Sequence, residues 1–284
     1  LELDLDTDLA PLWPLEPSPS DTTIAAIDVS SARLGSARDG EICALRGAIA
    51  YLRGGKYECW RIGPFLLKMP CAIEGGWNSE IVSEQLVAKA RNRLERWLQR
   101  YVCATVADTI ALFDGSLTAG TPDNPARGLG EILALARAND NTVIGISKRT
   151  RLKLKGRRAT EFLDGRIGPV LLDIDHLIRA SFPPHPVDLL GHVYLGKLAP
   201  DGMAFRIDVD DSISSQAGLS ALRSLIGNEV LYQGYPETLR IAHMHSAFTA
   251  SEAIAAQAYA EKRYGLRIER ELNYRRSLFG PFGT

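Results

Sequence analysis

Asp28 and Asp114 are the residues whose setting first demands a chemical explanation. Each sits at the end of a short apolar, β-capable run, Thr23–Val29 (TIAAIDV) and Val106–Phe113 (VADTIALF). A lone carboxylate in such a run faces a sheet surface or core, where burying it is costly. One reading makes both of them satisfied turn carboxylates, since Ser30 and Ser31 follow the first and Gly115 the second. The other starts from their juxtaposition: two acids at the ends of neighbouring strands repel each other unless a cation lies between them. Glu95 is a third candidate, at the border of the apolar stripe of a helix. Glu84 lies eleven residues earlier and so, at about 100° per residue, at nearly the same azimuth. Periodicity leaves both open, and each is also readable as a surface glutamate of a charged helix. Hard oxygen ligands without thiolate suit Mg²⁺ or Mn²⁺. Such an ion activates water and stabilises the leaving oxygen in an in-line attack on phosphate.

Between Lys148 and Arg158, seven of eleven residues are Lys or Arg and none is acidic. The run repels itself unless an anion compensates it. It reads either as a solvated loop or as a grip on a phosphate backbone. Asp208-Val209-Asp210-Asp211 reads either as a metal-coordinating segment or, just as well, as an acidic strand end before a helix at Ser212, explained by helix-dipole and capping effects. His243-Met244-His245 places two imidazoles on one face if extended. No GxSxG and no GxxxxGK[ST] is present, which removes a nucleophile elbow and an ATP loop from consideration.

The elements that must position these residues follow from periodicity. Ile42–Leu52 and Tyr57–Leu67 flank Gly54-Gly55, a hairpin signal because both glycines tolerate positive φ. Ser79–Val102 is a helix, with Val82, Leu86, Ala90, Leu94, Trp97 and Tyr101 on one face and Asn78 or Ser79 as its cap. Pro125–Ala138 is a second helix and Thr142–Ile146 a strand. Further on, Val170–Leu172, Gly191–Leu198, Met203–Val209 and Leu239–His243 read as strands. Ser212–Ile226 and Thr249–Tyr264 read as helices, the latter with Ala253, Ala256, Ala260 and Tyr264 inward. Strand, hairpin, helix, strand, helix, strand is the order of an RNase H-like mixed sheet flanked by helices, with an additional C-terminal α/β portion. Right-handed crossovers put the Asp114 strand parallel to and beside the Asp28 strand.

Residues 1–22, alternating Asp and Leu and then rich in Pro and Ser, suit an extended N-terminal arm, leaving 23–284 as a single domain. The 284 residues carry a formal charge of −1, so composition alone does not announce a polyanion binder. Four cysteines without CxxC spacing read as reduced thiols and do not support a zinc site. No run approaches the roughly 18 apolar residues of a spanning helix, and no basic-then-apolar leader is visible. The expectation is a cytoplasmic protein with no membrane association.

IDVSS (Ile27–Ser31), LFDGSL (Leu112–Leu117), GISKRT (Gly145–Thr150) and GYPETLRIAH (Gly234–His243) occur in an order that resembles the NurA family of DNA-repair nucleases. The likeness runs from about Thr23 to Phe248. It implies an RNase H-like fold and a Mn²⁺- or Mg²⁺-dependent deoxyribonuclease with single-strand endonuclease and 5′–3′ exonuclease activity. It also implies a homodimer that docks on a HerA-type hexameric ATPase and resects single-stranded DNA and duplex ends in double-strand break repair. Carried over, the metal ligands fall on Asp28, Glu95 (or Glu84) and Asp114, with His243 completing the site and Tyr235 beside it. Lys148, Arg149 and Arg151 are the DNA contacts. The sequence departs from the family at DVSS, where a glycine often follows the aspartate, and His245 has no role there. The rival reading is a non-catalytic RNase H-like dimer that binds DNA or the ATPase. A sugar-kinase-like phosphotransferase is disfavoured, because glycine-rich phosphate loops are missing.

Overall fold

The structure, a computed structural model, describes residues 2–3, 12–37, 40–70, 79–120, 126–181 and 187–265. A nine-stranded mixed sheet organises the chain. In chain order its strands are β1 (Leu12–Pro14), β2 (Thr23–Ala37), β3 (Gly40–Arg53), β4 (Lys56–Pro70), β5 (Thr109–Asp114), β6 (Thr142–Ser147), β7 (Val170–Asp173), β8 (Gly191–Lys197) and β9 (Ala204–Asp210). Across the sheet they run β1-β7-β8-β9-β6-β5-β2-β3-β4. The meander β2–β3–β4 is antiparallel, and β2, β5 and β6 are mutually parallel. That half is the RNase H-like core, and β9, β8, β7 and β1 extend it antiparallel. The β3–β4 turn is the Gly54-Gly55 pair, with φ of +52° and +73°.

The inner strands are nearly continuous apolar runs because both sheet faces are covered. Ile24, Ala26, Ile110, Leu112, Ile144 and Ile146 point to the face holding Leu222 and Leu225 of α4 (Ser215–Asn228) and Leu239 and Ala242 of α5 (Glu237–Ser246). Ala25, Ile27, Ala111, Phe113 and Val143 point to the other face, against Leu98 and Val102 of α1 (Ser79–Thr105) and Leu129, Ile132 and Leu133 of α2 (Ala126–Ala138). A smaller cluster joins Leu152, Leu154, Ala159 and Leu163 to β7, β8 and Ile178 of α3 (Asp175–Ser181). The last helix, α6 (Ala250–Tyr264), packs Ala260 against Leu34, Ile42 and Ala44.

Several expectations change. Leu239–His243 is helical, not a strand: Thr238, Leu239, Ala242 and Ser246 are buried at helical spacing behind Pro236, whose missing N–H suits a helix start. In α1 the buried face is turned by one residue. Leu98, Val102 and Cys103 face the core, while Trp97 and Tyr101 are 55% and 39% exposed and stack on each other at 6.0 Å. Tyr264 is exposed rather than inward. Helix α4 begins at Ser215, capped by the Ser214 hydroxyl, which accepts from Ala217 N. The Asn78 cap and Cys71 lie outside the described residues. The Pro- and Ser-rich segment is extended, but it docks: β1 pairs with β7, Leu15 is buried, and Ser20 N donates to Asn228 Oδ1 at 2.8 Å.

Candidate active site

The register of β2 and β5 brings the two aspartates together. Their ladder ends at Ile27 opposite Phe113, so the next step sets Asp28 beside Asp114. Counting in twos from Ile24 and Ile110, both carboxylates project to the face occupied by α5. Asp28 is not a turn residue: β2 continues to Ala37, and Asp28 pairs with Ala48 of β3. It lies where a long strand outruns its shorter neighbour. Asp114 ends its strand, and Gly115 turns away with φ of +127°, where a side chain would be strained.

Asp28 Oδ2 accepts from the Ser246 hydroxyl and lies 3.3 Å from His243 Nδ1. His243 and Ser246 are one turn apart on α5, so one helical face delivers both. The end of α5 is tied to β3 by Arg46, whose Nη1 donates to Ala247 O at 3.1 Å and Glu252 Oε1 at 3.0 Å. Asp114 Oδ2 accepts from Lys148 Nζ at 2.7 Å, and Lys148 is the first residue beyond β6, the next parallel strand. The same ammonium lies 5.0 Å from the centre of the Tyr235 ring.

Glu95 reaches this pair from α1. Its carboxyl is pushed up to about 7, first by burial and then by the charges of Asp28 and Asp114, against the opposing Arg96. Gln99 Nε2 donates to it at 3.2 Å. Glu84 is exposed. Eleven residues preserve azimuth but advance about 16 Å along a helix, which is why only one of the two glutamates feels the aspartates. Tyr235 is 7% exposed and packs on Phe205, with its hydroxyl turned towards the Asp114 carboxylate. Burial and the charges of Asp114 and Asp28 raise its pKa and hold it protonated.

The donor set is hard oxygen and imidazole with an excess of negative charge, which fits a divalent cation in chemistry. As placed, the set is not closed: among the described residues no three His, Cys, Asp or Glu side chains converge on one point. Lys148 sits on Asp114, and Ser246 and His243 hold Asp28.

Arg149 and Arg151 follow Lys148 on an exposed segment. Leu152 and Leu154 are buried while Arg151, Lys153 and Lys155 are exposed, so alternation pins the segment and turns its charges outward. A tight turn at Lys155-Gly156 then pairs Lys153–Leu154 with Arg157–Arg158. His245 is not on the face of His243. It accepts from Arg61 Nε at 3.2 Å, since residues two apart in a helix point in different directions. Asp208 is fully buried against Arg206, with Nε and Nη2 both at 2.7 Å, and accepts from Leu117 N. It belongs to no helix start; it pins the loop that follows Asp114. Asp210 pairs with Arg137. Ser246 escaped the sequence reading, because a strand over Leu239–His243 hid its relation to His243.

The NurA domain profile matches residues 22–248, about four-fifths of the chain. The chain belongs to the NurA family of nucleases. No curated protein sequence matches it. Among solved structures, the NurA nuclease from Sulfolobus solfataricus is similar at 15% identity, covering 89% of this chain and 88% of its own, with a TM-score of 0.58. A second NurA crystal structure is similar at 13% identity, covering 87% and 90%, with a TM-score of 0.50. These likenesses establish the fold. The NurA span contains every residue of the site just described and ends two residues after Ser246. All of α6, with the Glu252 that holds Arg46, falls outside the matched NurA span.

Proposed function

We propose that this NurA protein is a Mn²⁺- or Mg²⁺-dependent deoxyribonuclease that hydrolyses phosphodiester bonds at the Asp28–Asp114 end of the sheet. The observation that carries this reading is the crowding of acidic charge at this end of the sheet. Two aspartates stand side by side, and a third acid, Glu95, is raised to about 7 by burial and then by their charges. Asp28, Glu95 and Asp114 hold the cation, which supplies water activation and charge neutralisation when bound. His243 contacts Asp28 through Nδ1 and is otherwise exposed, leaving Nε2 to complete the site or to move a proton. Tyr235 Oη, held protonated beside Asp114, donates to a phosphate oxygen. Lys148 passes from Asp114 to the phosphate, and Arg149 and Arg151 hold the backbone that follows.

The family supports the finer assignment: single-strand endonuclease and 5′–3′ exonuclease action, a homodimer, and end resection in double-strand break repair with a HerA-type hexameric ATPase; the cytoplasmic setting is the expectation from sequence. Among the described residues no helix is long and apolar enough to cross a membrane. The test is cleavage of single-stranded DNA with Mn²⁺ by wild type and Asp28→Ala; equal activity in the two overturns the assignment.

One observation favours a second reading. Lys148 already neutralises Asp114, and the acids do not converge, as suits a non-catalytic module that clamps DNA or an ATPase. Calorimetric titration with Mn²⁺ separates the two, because a scaffold shows no binding that is lost in Asp114→Ala.

A further inference from the structure

The rim of the site carries an aromatic ring that none of the roles above uses. Leu231–Tyr232 pairs with Tyr235–Pro236 across a Gln233-Gly234 turn in which both residues have positive φ, +51° and +84°. Tyr232 and Tyr235 are therefore cross-strand neighbours with opposite fates. Tyr235 is buried beside the acids, whereas Tyr232 is 56% exposed. The Arg240 guanidinium lies over the Tyr232 ring, 4.9 Å from its centre. Arg240 is held in turn by two bonds to Glu237, at 2.7 and 3.0 Å. It stands one turn before His243 on α5, and so on the side of the helix that reaches Asp28.

The hairpin is fixed rather than loose. Met203 N donates to Gln233 O at 2.8 Å, and the Cβ of any residue replacing Gly234 would lie 3.2 Å from Gly202 Cα. One ring face is thus backed by a fastened guanidinium, and much of the ring remains open, in a piece of backbone shared with the site. An aromatic ring backed by arginine beside a phosphate-gripping lysine has the character of single-strand binding surfaces, where each base offers a π face and the backbone meets cations. Lys148, above the Tyr235 ring, supplies the cation.

We propose that Tyr232, backed by Arg240, is a stacking platform for an unpaired nucleobase next to the phosphate held at the Asp28–Asp114 site. The proposal rests on the nuclease reading for its substrate class and adds a base-contacting residue to it. The platform takes any base, because stacking needs only a π face, and it favours unpaired over duplex DNA at this position.

The test measures binding by the full chain in EDTA, so that cleavage does not intervene. Fluorescence anisotropy compares an oligothymidylate with an abasic oligonucleotide of equal length, for wild type, Tyr232→Ala and Tyr232→Phe. Tyr232→Ala is expected to weaken oligothymidylate binding about tenfold, within the range for loss of one base–aromatic stack. Abasic binding stays unchanged, and Tyr232→Phe retains wild-type affinity. A 2-aminopurine placed in the oligonucleotide is quenched by wild type and by Tyr232→Phe but not by Tyr232→Ala. Unchanged oligothymidylate affinity in Tyr232→Ala, or an equal loss on both oligonucleotides, overturns the platform. Wild type that shows the base-dependent binding yet cleaves nothing with Mn²⁺ supports the platform and defeats the nuclease assignment. Wild type that cleaves while Tyr232→Ala binds normally does the reverse.

Discussion

Two groups of acids occupy this sheet, and they are built on opposite principles. Near β7–β9, five carboxylates have a cationic or imidazole partner: Asp208 with Arg206, Asp210 with Arg137, Asp175 and Asp211 with Arg179, Asp173 with His192. At the end of β2 and β5 three acids face a lysine, a histidine that is charged only when protonated, and Arg96, whose charge only partly offsets the burial of Glu95. The first group is a set of ties between elements. The second is a concentration of charge left for something else to neutralise. A count of aspartates does not separate them, whereas the partners do. The richer acidic segment, Asp208–Asp211, is the structural one.

The comparison yields opposite responses to neutralisation. The largest effect is expected from Asp208→Asn, which strands Arg206 in the core and costs about 3–5 kcal/mol of stability, read as a drop in urea midpoint. If Asp208→Asn leaves the midpoint unchanged, the carboxylate is not a tie. Asp28→Asn and Asp114→Asn should do the reverse. Cleavage with Mn²⁺ falls by roughly 10²–10³, in the range for removing one electrostatic group from a reacting centre, while the melting temperature of the metal-free protein holds or rises. A lower melting temperature in both would erase the contrast between the two groups.

Glu95 sharpens the comparison through pH. Its folded-state pKa, about 7, exceeds the unfolded value near 4.5, so the native state binds the extra proton between them. Its contribution is therefore fully present below about pH 4.5 and is lost as pH rises through 7, amounting to at most about 3 kcal/mol. Metal-free wild type should lose stability over that window in urea unfolding, and Glu95→Gln should lose less. Parallel curves would show that neither burial nor the aspartates hold the extra proton on Glu95. In Asp173–His192 the signs favour pairing. Its hydrogen bond to Asp173 raises the His192 pKa against the opposing effect of burial, giving stability present below about 6.5 and lost at higher pH. The Asp173 carboxyl is lowered by His192, with burial opposing, giving stability present above about 3.8 and lost in acid. The tie is strongest between those values, and the half-exposed setting keeps it within about 1 kcal/mol; His192→Ala should remove that local maximum from the profile. The smallest effect concerns the basic segment. Arg149→Ala with Arg151→Ala should reduce the salt dependence of DNA binding by about one to two ions, and an unchanged slope would return the segment to the role of a solvated loop.

The sheet was legible because its strands are apolar runs of strand length between turn residues, and Gly54-Gly55 named its own hairpin. The parallel placement of Asp28 beside Asp114 followed from crossover handedness. The helical nature of Leu239–His243 did not, since five residues rich in apolar side chains fit either period until Thr238 and Ser246 are included. The α1 face was misplaced for a related reason: Trp97 and Tyr101 are the bulkiest apolar residues there, yet Leu98 and Val102 meet the sheet. Glu95 and Glu84 were inseparable by azimuth and differ only along the axis. The ties of the first acid group join residues distant in sequence, apart from Arg206–Asp208 and Asp175–Arg179, which share a strand face and a helix face. His243 was readable as a residue type, while Ser246 depended on the helix being seen first.

Gly47 of β3 shows how finely Glu95 is set. A Cβ at that position would stand 2.4 Å from Leu98 Cδ1, so α1 rests on the bare backbone one turn from Glu95. Any side chain at 47 must displace the buried Leu98 side chain, the contact by which α1 is seated one turn from Glu95. Positions 47 and 98 should therefore vary only as a pair across related sequences, a larger residue at one being matched by a smaller one at the other. The reach of a charged group in the site is thus written partly in the absence of a methyl group on the far side of the sheet.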